Sequence, residues 1–340
     1  MELLGTEKSI KNAMEVYERA IVYENSNAMY NLALIYQNGF EKENIPKNTE
    51  KSIDLYEKAV KLGHRIAMNN LANIYKFDND YCKRNINRTI ELYEKSIELG
   101  YINACYNLGL IYERGIEKGI NNEAINKDLK KAIELFERAA EINHPSAIYN
   151  LGLIYQNGDA VEMNIKKAME LFEKSAKLGD SYSYNAIGII YFKGYESEGI
   201  KKDFQKAIYY YEKAIELNDK QAYFNLALLY ERGDVENKFI PDYNQAFFFY
   251  FNCFKIFNSK SSFERFLYLI DNYQNDIVWR KEYHIHWKKN DLLRKQIVLL
   301  LLISKHRKES TVNYLEAVLV KGISINVIKY LCHISTKVVN

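Results

Sequence analysis

Small and aromatic side chains recur along this chain at helical spacing. Ala13, Tyr17 and Ala20 stand four and then three residues apart. The same frame returns at Ser52/Tyr56/Ala59, Thr89/Tyr93/Ser96, Ala132/Phe136/Ala139, Ala168/Phe172/Ser175, Ala207/Tyr211/Ala214 and Ala246/Tyr250/Cys253. Four residues before each frame lies Ser9, Asn48, Asn85, Asp128, Asn164, Asp203 or Asp242, residue types whose side-chain oxygen caps a helix N-terminus. Between successive frames sits a second pattern. Ala28, Ala67, Ala104, Ala147, Ser183 and Ala222 are followed five residues on by Ala33, Ala72, Gly109, Gly152, Gly188 and Ala227. A tyrosine comes three later each time: Tyr36, Tyr75, Tyr112, Tyr155, Tyr191 and Tyr230. Apolar positions at this spacing form one face of a helix. The chain is therefore predicted to alternate helix A, starting at the alanine of the second pattern, with helix B, carrying the first. Gly39, Gly115, Gly158, Gly194 and Gly233 end helix A, with Asp78 as the exception.

The repeat is 36 to 43 residues long, a period that marks a solenoid. From the last small residue of helix B to the first of the next helix A is 8 residues in all six cases. From the helix A tyrosine to helix B the gap ranges from 13 to 20. One turn is thus held constant, as a stack of like units requires, and all insertions fall on one edge. Gly63, Gly100, Asn143, Gly179 and Asn218 occupy the constant turn, where a left-handed backbone is needed. The small residues read as close helix contacts and the rings as filling beside them.

The run Ala147-Ile148-Tyr149-Asn150-Leu151-Gly152-Leu153-Ile154-Tyr155-Gln156-Asn157-Gly158, with Lys167-Ala168-Met169-Glu170-Leu171-Phe172-Glu173-Lys174-Ser175-Ala176 after it, resembles a Sel1-like repeat, a relative of the tetratricopeptide repeat. The resemblance extends over residues 9 to 255. It implies an all-α, right-handed α/α superhelical solenoid and adaptor roles in multiprotein assemblies. It also implies that helix A lines the concave side. Tyr30, Asn31, Asn70, Tyr106, Asn107, Tyr149, Asn150, Phe224 and Asn225 then become candidate peptide-binding residues, with Gln37, Arg114, Gln156, Lys193 and Arg232 near the rim. A carboxamide can donate and accept hydrogen bonds along an extended peptide. It can equally bond the neighbouring repeat and stabilise stacking, and both readings stand at this point.

Composition narrows the function. A net charge of +3 is near neutral, and no basic stripe points to nucleic acid. Asp54/Lys58, Glu91/Lys95, Glu134/Arg138 and Glu170/Lys174 are spaced i,i+4, the mark of a solvated helix face. No signal peptide is expected at Met1 to Ser9, and the longest aliphatic run, Ile297 to Ile303, is too short to span a membrane. Four cysteines, Cys82, Cys105, Cys253 and Cys332, lack paired spacing. Some secreted Sel1-like proteins staple each repeat with a cysteine pair, which this chain lacks, so an intracellular, cytoplasmic setting is expected, in the producing cell or a host.

No phosphate loop, nucleophile elbow or paired-carboxylate constellation appears, and Glu113-Arg114 and Glu231-Arg232 read as ordinary surface at helix ends. His284 and His286 are a metal-like pair without a third ligand, so no cofactor or metal is expected. The template decays after Cys253, where Phe266 falls on a small-residue position. Residues 1–255 are expected as the repeat domain and 256–340 as a divergent helical cap, with helical spacing over Asp291 to Ser304, Val312 to Val320 and Asn326 to Cys332. The first helix B has no helix A before it, so Met14, Val16 and Tyr17 offer an apolar face for a partner or a second copy.

The functional expectation is a non-catalytic scaffold binding a protein or peptide in its groove. The alternatives are repeats that target a C-terminal effector, such as a ubiquitin-ligase adaptor, and an architectural protein that self-associates.

Overall fold

The computed structural model describes residues 8–77, 84–116, 124–234 and 238–273. The helical spacings expected beyond Tyr273, the His284/His286 pair, Cys82, Cys332 and Asp78 lie outside the described residues. Helices B are α1 (Lys8–Ile21), α3 (Thr49–Lys61), α5 (Ile86–Glu98), α7 (Leu129–Glu141), α9 (Ile165–Lys177), α11 (Phe204–Glu216) and α13 (Tyr243–Phe257). Helices A are α2 (Ser26–Asn38), α4 (Arg65–Tyr75), α6 (Asn103–Arg114), α8 (Pro145–Asn157), α10 (Ser181–Lys193), α12 (Lys220–Arg232) and α14 (Lys260–Tyr273). Among the described residues only isolated bridges, such as Phe40 with Ile45 and Tyr195 with Ile200, depart from helix and turn. The chain divides into two units. The first holds α1 to α9, Ser181–Ile187 of α10 and Tyr195–Ile200; the second holds Gly188–Gly194 and α11 to α14.

Each unit stacks helices A and B in hairpins, and both connections close with the same hydrogen bonds every time. In the B-to-A turn, the residue after the left-handed position donates its N–H to the carbonyl of the second small residue: His64 to Ala59, Tyr101 to Ser96, His144 to Ala139, Asp180 to Ser175 and Asp219 to Ala214. This is the long bond of a Schellman motif. Gly63, Gly100, Asn143, Gly179 and Asn218 all have positive φ, as expected, and Glu24 takes that position in the first turn with φ 58°. On the opposite edge, the helix B cap donates its N–H to the carbonyl of the helix A tyrosine: Asn48 to Tyr36, Asn85 to Tyr75, Asp128 to Tyr112, Asn164 to Tyr155, Asp203 to Tyr191 and Asp242 to Tyr230. The ends of the variable loop are pinned together there. Its length then costs little, because loop-closure entropy grows only logarithmically.

The six caps expected from Asn48 to Asp242 each accept from a backbone N–H in the first turn of helix B, whereas Ser9, expected as the first cap, lies inside α1, which begins at Lys8. Helix A begins earlier than the expected alanine, by two residues in α2, α4, α8, α10 and α12 and by one in α6. The reason is a further set of caps. Asn25, His64, His144, Asp180 and Asp219 each stand three residues before that alanine or serine and accept its N–H.

Inside the hairpins the small residues do what their spacing implies. A Cβ added to Gly109 would lie 2.6 Å from the Phe136 ring, one on Gly152 2.5 Å from Phe172, and one on Gly188 2.6 Å from Tyr211. Those three rings are essentially fully buried. Where the second small residue of helix B is polar, it also ties down helix A: Ser96 Oγ donates to the Arg65 carbonyl at 2.7 Å and Ser175 Oγ to the Pro145 carbonyl at 2.9 Å. In the second unit α14 packs on α13 with Phe266 at the small-residue position, its ring 4.4 Å from Phe247. The expected boundary at 255/256 falls inside α13.

Gly152→Ala should lower stability by about 1–3 kcal/mol, the cost of overpacking a close-packed site. Chemical denaturation should show Phe172→Leu on that background recovering part of the loss; a Gly152→Ala protein as stable as the parent would mean the helices have room to spare.

Candidate functional site

The candidate residues lie on helix A, two and three positions after its first small residue. Every ring among them is held at two points or by a buried ring. Tyr30 stacks on the His64 imidazole with centroids 4.7 Å apart and tilts against Tyr56 at 6.2 Å. Tyr106 repeats the arrangement with His144 at 4.5 Å and Phe136 at 6.1 Å. Tyr149 contacts Phe172 at 5.6 Å and Tyr182 at 6.1 Å. In the second unit Phe224 meets Tyr250 edge-on at 5.5 Å. Each candidate ring thus leans on the helix B aromatic of its own hairpin, and in the first unit also on a ring at the start of the next helix A. All four remain half-exposed.

The carboxamides form a relay through the first unit. Asn107 donates from Nδ2 to Asn69 Oδ1 at 2.9 Å, Asn69 to Asn70 Oδ1 at 3.2 Å, and Asn70 to the Tyr56 hydroxyl at 3.4 Å. Tyr56 in turn donates to Gln37 Oε1 at 2.6 Å. Burial, opposed by the Asn70 bond, pushes the Tyr56 hydroxyl pKa up to about 12, so it stays protonated as that donor. Asn69, which the sequence reading leaves unmarked, takes the ring position of α4 and joins two repeats. Asn31 is half-exposed and Asn150 buried. Asn225, in the second unit, accepts from Gln221 Nε2 at 3.1 Å.

A second column escaped the sequence reading. Lys131 Nζ donates to the Tyr112 hydroxyl at 2.7 Å and Lys167 Nζ to that of Tyr155 at 2.6 Å, each ammonium also lying about 4 Å from the ring centroid. Lys51 covers Tyr36 at 5.1 Å, and in the second unit Lys206 covers Tyr191 at 4.9 Å. The signal was the lysine just before the first small residue of helix B. The helix A caps had one too, since a polar residue three before the alanine is a capping position.

Rim residue Gln37 is engaged by Tyr56, whereas Arg114 is exposed. Glu231 differs from expectation. It is buried at 9% exposure, not ordinary surface. Its carboxylate accepts from the Tyr250 hydroxyl at 2.7 Å and from Arg265 Nε at 3.2 Å, with Arg265 Nη2 on its other oxygen. A carboxylate this far from water needs such partners. The match to Glu113, itself half-buried, was misleading because α14 beyond α12 carries Arg265, whereas α8 beyond α6 carries no arginine.

A cleft of about 340 Å³ opens between α5, α6 and α7, with Ile97, Leu108 and Leu135 below and Glu94, Glu98, Glu134, Lys131 and Arg138 around it. Among the described residues no three His, Cys, Asp or Glu side chains are placed to hold a metal. Cys105 and Cys253 are free and buried, and burial raises the Cys105 thiol pKa.

Comparison with known proteins places this geometry. The Sel1 repeat model matches six consecutive segments, residues 26–64, 65–101, 102–144, 145–180, 181–219 and 220–251. Those segments begin with helix A, so α1 precedes the first and α14 follows the last. Among solved structures, a protective antigen of uropathogenic Escherichia coli with an SLR fold matches at 21% identity and a TM-score of 0.63, over 78% of this chain and 53% of that one. The chain therefore spans about half of that antigen's length. A Sel1 repeat protein from Oxalobacter formigenes matches at 24% identity and a TM-score of 0.56, over 73% of this chain and 98% of that one. At these identities the likeness is one of fold, an all-α helical solenoid. No curated protein matches the chain.

Two stability measurements test the polar contacts. Asn69→Ala should cost about 1–2 kcal/mol by leaving Asn107 Nδ2 and Asn70 Oδ1 unpaired, and the loss in Asn69→Ala/Asn107→Ala should fall short of the sum of the single losses. Strict additivity would break the relay. Arg265→Met should cost about 2–3 kcal/mol, with Glu231→Gln on that background restoring much of it. A neutral effect of Arg265→Met would show that Tyr250 alone satisfies the carboxylate.

Proposed function

This chain belongs to the Sel1 repeat family, whose repeats are generally protein–protein interaction modules, and from that premise we propose that it is a non-catalytic adaptor. In this reading it holds a peptide segment of a partner protein along the helix A face of its first unit. The observation that carries the reading is the set Tyr30, Tyr106 and Tyr149: half-exposed rings, each braced on two sides, on α2, α6 and α8, with Asn69 in the ring's place on α4. Rings fixed in place bury contact area at little entropic cost, which is why tyrosine is favoured where proteins meet. Asn31 lies beside the first ring, while Asn70 and Asn107 act mainly through the relay that holds the face together. Phe224 and Asn225 provide a separate counterpart in the second unit. The Sel1 family is generally non-catalytic, and no helix among the described residues is long and apolar enough to cross a membrane.

A second reading, self-association through the first helix and the turn after it, draws on Val16, Val22 and Tyr23, which are 59%, 78% and 86% exposed, whereas Met14 and Tyr17, expected on that face, are half-buried against the core. Sedimentation of the chain across a hundredfold concentration range separates the two, because an adaptor needs no second copy.

The adaptor reading is tested with a displayed random peptide library. Selection against the full chain at pH 7.5 should yield peptides whose affinity drops at least tenfold in Tyr106→Leu/Tyr149→Leu. Leucine keeps the apolar stem against Phe136 and Phe172, so thermal melting should shift by only a few degrees. Selected peptides that bind this variant undiminished would refute the assignment of the face.

A further inference from the structure

Two of the helix A caps are histidines, and they are the same side chains that brace Tyr30 and Tyr106. His64 Nδ1 accepts the Ala67 N–H at 3.1 Å, and His144 Nδ1 accepts the Ala147 N–H at 3.3 Å. An imidazole accepts at Nδ1 only when that nitrogen is bare, so in each ring the proton sits on Nε2. For His64 that nitrogen lies 3.1 Å from Asn27 Oδ1 on α2, an acceptor suited to the Nε2–H tautomer. One ring therefore does three jobs at once. It caps its own helix, bonds the preceding helix A, and stacks on the candidate contact tyrosine.

In each ring burial works against a second proton and outweighs the one opposing group, the histidine's own backbone, whose hydrogen bond favours it. α2 presents Tyr30 and Asn27 to His64, Tyr101 lies near Tyr30 from the turn before α6, and the adjacent Arg65 is cationic. α6 presents Tyr106 to His144. Among the described residues no carboxylate figures among the groups acting on either ring. A protonated ring would aim an N–H at the Ala67 or Ala147 N–H and place a positive charge at a helix N-terminus, where the backbone is already partially positive. The other capped helices A use Asn25, Asp180 and Asp219, which accept the same N–H through an amide or carboxylate oxygen.

We propose that His64 and His144 form a proton-operated latch on the binding face: on acidification both caps open, Tyr30 and Tyr106 lose their braces, and a bound segment is released. This rests on the peptide-binding reading for its functional consequence, while the latch itself is a property of the two caps. Burial, joined at His64 by Arg65, lowers both imidazole pKa values from their ordinary value of about 6.5. The folded state thus favours the neutral ring. The stability contributed is complete above about pH 6.5 and is lost as pH falls from there through the lowered folded-state pKa.

Amide hydrogen exchange on the full chain reads the latch directly. Between pH 7.5 and 5.0, corrected for the intrinsic rate, protection of the Ala67 and Ala147 amides should drop at least tenfold more than that of Ala28, which Asn25 caps. In His64→Asn/His144→Asn, asparagine makes the same cap without titrating, and the extra drop should vanish. An equal drop at Ala28, or a drop that survives the double substitution, would overturn the latch. A peptide selected at pH 7.5 supplies the second arm: its affinity should fall between pH 7.5 and 5.0 in the parent, whereas the double variant, which lacks both imidazole braces, should bind it more weakly at pH 7.5 and lose nothing further at pH 5.0. If the exchange result holds but no selected peptide depends on Tyr106, the latch stands and the binding face fails. If binding depends on Tyr106 while Ala67 and Ala147 stay protected at pH 5.0, the latch alone is wrong.

Discussion

The structure depends on helices A and B of each hairpin coming closer than ordinary side chains permit. At Gly109, Gly152 and Gly188 even a methyl group would meet a buried ring at 2.5–2.6 Å. A protein interior this dense tolerates little change in volume, so the pairing of one small residue with one ring fixes both spacing and register. Phe266 shows the converse. With a large ring in the small-residue position, α14 seats on α13 through tilted ring contacts of Phe266 with Phe247 and Phe251, in place of a close backbone approach.

Repetition of that contact requires connections that repeat as well. The B-to-A turn closes on the carbonyl of the second small residue, and the A-to-B loop closes on the carbonyl of the helix A tyrosine. Both bonds involve backbone only, so the intervening sequence is free. Insertions between Tyr112 and Asp128 leave the pinned ends unchanged, which reconciles a loop of variable length with helices that keep their pairing. Function is then carried by side chains that the stacking does not consume. Tyr30, Tyr106 and Tyr149 keep one surface open while a ring at the start of the next helix A and the ring of helix B hold them in place, a preorganisation that would reduce the entropy lost in the proposed binding. In the proposed latch the histidine caps add a titratable element to that face.

The repeat, the alternation of helices, the left-handed turn residues and the helix B caps were all legible in the sequence. Each follows from local chemistry: helical spacing of apolar groups, the freedom of glycine and asparagine at positive φ, and the reach of a short polar side chain to the next turn's N–H. Membership of the Sel1 repeat family follows from the same recurrence. What depended on tertiary structure was the partnership of polar side chains distant in sequence. Asn107 finds Asn69 38 residues away, and Arg265 reaches Glu231 34 residues away. Nothing in the local pattern distinguishes Glu231 from Glu113; the difference arises because the next helix A supplies a guanidinium to Glu231 alone of the two. Spacing along one helix encodes which residues face inward, but which polar groups meet there is decided only when hairpins stack, since the energy of a buried charge or carboxamide is set by its neighbours in space.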